Sequence, residues 1–162
     1  IPIANPFALL WTIVKRCDPF SEFLRKQLHQ CPPSPECPWH IVIYSDEVTP
    51  REVLSVHNKR KSHAAYWSFL ELGSSALSRE EAWSAIIVEY SSVINTLHAG
   101  LSQAFGGLIK HLFFNGSGSL DISKHGLYLP FDPAGIILFA KMGAVLQDGG
   151  AHTSTWSARI DG

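Results

Sequence analysis

Apolar residues recur with helical spacing twice before residue 31. Residues 6–15, Pro-Phe-Ala-Leu-Leu-Trp-Thr-Ile-Val-Lys, predict a short helix. Asn5 stands as its cap, and Pro6 sits at the first position, where a missing N–H costs nothing. Residues 19–29 predict a second helix on the spacing of Phe20, Phe23, Leu24 and Leu28, with Asp18 as cap and Pro19 behind it. The run from Cys31 to Pro38 (Cys-Pro-Pro-Ser-Pro-Glu-Cys-Pro) is too rich in proline for a helix or a central strand. It divides the chain into a helical lead-in, residues 1–37, and a main body, residues 38–162.

The pattern changes to strands after Pro38. Trp39–Tyr44 is β-branched and aromatic and predicts a buried strand ending at Ser45-Asp46-Glu47. His63–Leu72, closed by Gly73, predicts a second strand, and Ala85–Tyr90 a third. Between them Ser78-Arg79-Glu80-Glu81 has the spacing of a capping box. Residues 92–114 carry a long helical stripe through Val93, Leu97, Leu101, Phe105, Leu108 and Leu112. Asn115-Gly-Ser-Gly ends it. Leu127–Phe131 and Ile136–Ala140 flank Asp132-Pro-Ala-Gly135 and predict a hairpin. A last apolar run, Ala144–Leu146, leads into Gln147-Asp148-Gly149-Gly150. The order is β-β-β-α-β-β behind two short helices. That is an α/β (α+β) mixed sheet, and it matches the opening of an incomplete ribonuclease H-like fold; other α+β layouts share it.

Composition narrows the class. At 162 residues, with 46% hydrophobic and 17% charged residues, the chain can build one core. The formal net charge of -1 gives no bulk support for a nucleic-acid partner, though a local patch can serve. No apolar run is long enough to span a bilayer, and no basic-then-apolar stretch resembles a signal peptide, although a fragment can have lost one. Starting at Ile1 and stopping at Asp161-Gly162, the chain reads as a piece of a longer protein, truncated at its C-terminus. Cys17, Cys31 and Cys37 are odd in number and loosely spaced, which predicts free thiols of an intracellular protein.

Two acids are placed for chemistry. Asp46 closes the first strand and Asp148 a later one, and carboxylates at neighbouring strand ends are the hard oxygen ligands that magnesium or manganese takes. Read locally, each is more commonly a turn residue, Asp46 before Val-Thr-Pro and Asp148 before Gly-Gly. Lys59, Arg60 and Lys61, with Arg51 upstream, form a basic run that suits DNA phosphates, although such runs are commonly solvated loops. His152 lies four residues after Asp148; His98 and His111 fall in the long helix; all three read as structural or exposed. Tyr66, Trp67 and Phe69 offer a stacking platform for bases or, the commoner outcome, core. A Gly-x-Ser-x-Gly nucleophile motif and a phosphate-cradling glycine loop are both absent.

Several strings carry a resemblance. Pro38-Trp39-His40, Ile43-Tyr44-Ser45-Asp46-Glu47-Val48-Thr49-Pro50, Asn58-Lys59-Arg60-Lys61, Tyr66-Trp67-Ser68-Phe69-Leu70-Glu71 and Leu146-Gln147-Asp148-Gly149-Gly150-Ala151-His152 resemble a many-copy family of eukaryotic proteins. More distantly the chain is similar to the catalytic domains of DDE transposases of the CACTA kind. That resemblance implies a metal-dependent nucleotidyl-transfer or nuclease domain acting on DNA, in a nuclear protein. Asp46 would be its first acid and Asp148 its second, binding Mg2+ (or Mn2+). The third acid and a cysteine knuckle would lie beyond Gly162, so the fragment alone would be inactive. The alternative is a catalytically inactive, domesticated module that binds DNA or protein. An unpaired sheet edge would also permit self-association.

Overall fold

A computed structural model describes residues 2–49, 61–113 and 121–147. Helix α1 spans Pro6–Arg16 and α2 spans Asp18–Gln30. Asn5 caps α1 as expected, its Oδ1 accepting the backbone N–H groups of Phe7 (3.0 Å) and Ala8 (3.1 Å). Asp18 is not a cap. It lies inside the first turn of α2, and Cys17 takes the capping position without a side-chain bond. An acid there still faces the positive end of the helix dipole.

Strand β1 runs Trp39–Val48, β2 Ser62–Phe69 and β3 Ser84–Tyr90. The first strand therefore continues through Ser45, Asp46 and Glu47 instead of turning there, because Asp46 and Glu47 find cross-strand partners in Ala64 and His63. The second strand stops at Phe69, where the chain bends into a 3-10 turn, Leu70–Leu72, before Gly73 at φ +83°. A short helix α3, Ser74–Leu77, and a 3-10 turn, Glu80–Ala82, follow. The expected capping box does not form: Ser78 Oγ donates back to the Ser75 carbonyl at 2.9 Å. The long helix is broken in two, α4 (Ser91–Ile94) and α5 (Gly100–Phe113). Thr96 Oγ1 donates to the Val93 carbonyl at 2.7 Å and so competes for a helical acceptor. Gly100, at φ +49°, redirects the chain into α5.

The predicted hairpin is present as β4 (Leu127–Leu129) and β5 (Ile136–Leu138), a separate two-stranded sheet. Ala140 belongs instead to β6, Ala140–Gln147, which absorbs the Ala144–Leu146 run. The main sheet has the order β3-β2-β1-β6, with β1–β2 and β2–β3 antiparallel and β6 parallel to β1. The fold is thus a mixed α+β structure on a four-stranded mixed sheet.

One face of that sheet holds the core. Trp39, Ile41 and Ile43 of β1 and Trp67 and Phe69 of β2 meet Leu10 of α1, Leu24 of α2, and Leu101, Phe105 and Leu108 of α5 in one cluster. The lead-in helices share this core. Trp39 packs edge-on to Phe69 at 5.5 Å, and its Nε1 donates to the Cys31 carbonyl at 2.8 Å, so the proline-rich turn is tied to the central strand.

The parallel ladder has one irregularity. Ile41 faces Met142, but Val42 faces Ala144, so Gly143 is bulged out. A Cβ at Gly143 would stand 2.7 Å from His40 Cβ and 3.1 Å from the Ile41 carbonyl oxygen. Neither atom is the free end of a flexible side chain. Gly143→Ala should therefore lower stability to urea by roughly 1–3 kcal/mol. Replacement of the exposed neighbour Lys141 by Ala should stay within about 0.5 kcal/mol. Equal unfolding midpoints for the two variants would remove the close approach from the account.

Candidate functional site

Side chains alternate along β1, and its last residues divide between two environments. Tyr44, Asp46 and Val48 face away from the core; Ser45 and Glu47 face towards it. On the outer face, the part of the connection from Leu77 to Trp83 covers one end of the sheet. Ser68 Oγ donates to the Ala82 carbonyl (2.7 Å), and Trp83 Nε1 donates to the Leu77 carbonyl (3.0 Å). Where this cover stops, a groove of about 570 Å3 opens, lined by Tyr44, Asp46, Val48, Tyr66, Leu77, Ser78, Arg79, Glu80 and Trp83. Tyr44 lies directly across from Tyr66, ring centroids 6.3 Å apart and planes 25° apart, and Trp83 meets Tyr44 edge-on at 6.1 Å. Tyr44 donates its hydroxyl to Asp46 Oδ2 at 2.9 Å. Asp46 is thus an oriented, half-buried carboxylate on an aromatic wall.

Glu47 has the opposite setting. Lys61 Nζ donates to its Oε2 at 2.9 Å, Ser91 Oγ donates to its Oε1 at 2.9 Å, and His63 Nε2 stands 3.9 Å away. The Lys61 hydrogen bond holds the Glu47 carboxyl below the ordinary carboxylate range; burial works against it, and the Ser91 hydroxyl and the Lys61 and His63 charges add to the lowering. This cluster joins the end of β1 to the start of β2 and to α4. Beside it, Ser45 Oγ and His63 Nδ1 are buried without a hydrogen-bond partner.

The expected site residues divide as follows. Asp46 is in the groove. Asp148, Lys59 and Arg60, and also Arg51 and His152, lie outside the described residues. Lys61 is half exposed and bound to Glu47. His98 stands between α4 and α5, not within a helix, and His111 is on the exposed side of α5. The aromatic trio splits: Trp67 and Phe69 are core, whereas Tyr66 faces the groove. Cys17, Cys31 and Cys37 are free and exposed. Among the described residues no group of three or more His, Cys, Asp or Glu side chains is placed to hold a metal ion, and no helix is long and apolar enough to cross a membrane.

No protein-family model matches the chain, and neither does any curated protein or solved structure. The geometry therefore stands alone.

Sequence reasoning missed Tyr44, Arg79 and Trp83 as neighbours of Asp46. The alternation Tyr44-x-Asp46-x-Val48 was the available signal, but only once β1 extends past Ser45. It also missed Glu47, since nothing in the local sequence shows that the start of β2 delivers Lys61 and His63 to it.

Glu47 generates a pH prediction. Its folded-state pKa lies below the ordinary 4.5, so its stabilisation is present above that value and is lost as pH falls through the folded value. Glu47→Gln should be less stable than the unsubstituted chain at neutral pH, and the difference should shrink on acidification below about 4.5. Urea titrations at several pH values check this; a pH-independent difference would show that ionisation of Glu47 contributes nothing.

Proposed function

We propose that the chain is part of a ribonuclease H-like, metal-dependent nucleotidyl-transfer or nuclease domain of the transposase kind, acting on DNA in the nucleus. Three antiparallel strands with β6 returning parallel to β1, after α4, α5 and the β4–β5 hairpin, are compatible with the sheet such a domain begins with. One observation carries the reading. The last described pair of the β1–β6 ladder is Ser45↔Gln147, and the next residue in sequence after each is an aspartate, Asp46 and Asp148.

The donor set suits a hard divalent cation. Magnesium takes carboxylate oxygens and retains several waters, and Asp46 is open to the groove while the Tyr44 hydroxyl fixes its orientation. Asp46 and Asp148 would hold the ion. Such an ion activates an attacking oxygen and stabilises the leaving oxygen of a phosphodiester. The chain's own contribution is to hold Asp46 on a strand paired on both sides, with its carboxylate oriented by Tyr44. Lys59, Arg60 and Lys61 would meet the DNA backbone; for Lys61 this means exchanging or sharing its bond to Glu47.

Titration with Mn2+, followed by electron paramagnetic resonance, tests the assignment. Saturable binding should weaken at least tenfold, about 1.4 kcal/mol, in Asp46→Asn and again in Asp148→Asn. Mn2+ binding that neither substitution alters would sink the metal site and leave the alternative, a catalytically inactive module that binds DNA or protein.

A further inference from the structure

The outer face of the sheet carries an aromatic surface that the metal assignment does not use. Tyr44 is 38% exposed, and it forms a continuous wall with Tyr66 and Trp83. The open end of the same face continues through Val48, Val88, Tyr90 and Leu146, all substantially exposed; Val88 and Tyr90 lie across from Ala64 and Ser62, and Leu146 beside Tyr44. Trp83 has its indole N–H committed to the Leu77 carbonyl, which fixes the ring in place. The guanidinium of Arg79 and the carboxylate of Glu80 stand at the rim.

We infer that this groove is a stacking subsite for an unpaired nucleobase, seated beside Asp46 so that the attached phosphate is presented to a cation held there. The inference rests on the metal-dependent reading above and names the part of the substrate that the aromatic wall would hold. Any base offers a flat π-face to such a wall, without regard to sequence. A box for an organic ammonium ion is the rival chemistry, since rings and a carboxylate suit both. That box needs rings facing one another across a gap. Here Tyr44 and Tyr66 are nearly parallel and Trp83 touches Tyr44 edge-on, with centroids only 6.1–6.3 Å apart. At these separations the rings contact one another and leave no gap that admits an ammonium ion, so a ligand is held against their outer surface.

Charge sets the condition for binding. Among the described residues that line the groove, Asp46 and Glu80 outnumber Arg79, which disfavours a bare phosphate. A divalent cation on Asp46 reverses that sign. Nucleotide binding at this groove should therefore need the cation, and it should favour single strands, whose bases are free to leave the stack.

The test is fluorescence anisotropy of a labelled short oligothymidylate with the whole chain, in Mg2+ and in chelator. Expected are binding in Mg2+, weaker binding of a duplex, and a loss of roughly 5- to 150-fold in Tyr66→Ala. Tyr66→Phe keeps the ring and should bind like the unsubstituted chain, which separates lost stacking from lost folding. Unchanged affinity in both Tyr66→Ala and Trp83→Leu would overturn the inference even where Mn2+ still binds Asp46, and so would displacement of the oligomer by tetramethylammonium at matched ionic strength. Oligomer binding that survives chelation but still falls in Tyr66→Ala would keep the stacking subsite and refute the metal reading instead.

Discussion

Parallel pairing between β1 and β6 is the contact on which the geometry of the outer face depends. β1 is the central strand, buried on its core face by residues from α1, α2 and α5. It has β2 on one side, joined by a local antiparallel connection. Its other side must be filled by a strand that returns from far along the chain, and the partner β6 starts only at Ala140. Parallel strands need such a crossover, and α5 with the small β4–β5 sheet supplies it. The register of this pairing is then set by a single glycine. Before Gly143, Ile41 faces Met142; after it, Ser45 faces Gln147. An unbulged β6 would carry Gln147 opposite Asp46. The bulge moves the register by one residue and brings Gln147 to the row of Ser45. A close backbone approach is thus translated into which side chain can reach the groove.

The end of β1 shows how alternation separates two acids that are neighbours in sequence. Asp46 and Glu47 have almost the same chemistry, yet the pleat sends them to opposite faces. Glu47 meets Lys61, Ser91 and His63 and becomes a structural tie between three elements. Asp46 meets one hydroxyl and a wall of rings. Its partner is a neutral donor, so the carboxylate keeps its charge available for a ligand. A carboxylate neutralised by a lysine is a poorer candidate for the same task, which is why the groove acid, and not the better bonded one, carries the functional reading.

Local rules made the elements legible and tertiary contacts made the rest illegible. Asn5 before Pro6 and the aliphatic run after Pro38 placed α1 and the start of β1, because capping and β-branched patterning act within a few residues. The end of β1 was misplaced because Ser45-Asp46-Glu47 looks like a turn until Ala64 and His63 pair with it. The long helix was overextended because its apolar stripe continues through Leu97, while the break depends on the Thr96 hydroxyl and the backbone at Gly100. Asp46 could be singled out from sequence, but its setting could not. Trp83 and Arg79 arrive from a connection that reads as a capped helical turn, and Tyr66 shares a strand with two core aromatics from which only the pleat distinguishes it.

The two ends of the sheet also differ in how well they are satisfied. At the Trp39 end, Trp39 packs edge-on to Phe69 and its indole is hydrogen-bonded, while further along the core face Trp67 Nε1 is buried without a partner. At the Val48 end, Ser45 Oγ and His63 Nδ1 are buried without partners, each at a cost of about 1–3 kcal/mol, and the outer face leaves Val48, Val88, Tyr90 and Leu146 in water. A sequence selected for stability alone would cover that surface and pair those groups. Apolar exposure that is contiguous, rather than scattered, is what binding surfaces keep. Here it adjoins an oriented carboxylate on a strand paired on both sides. The firmly packed end therefore acts as the scaffold and the open end as the place where a partner molecule supplies the missing contacts.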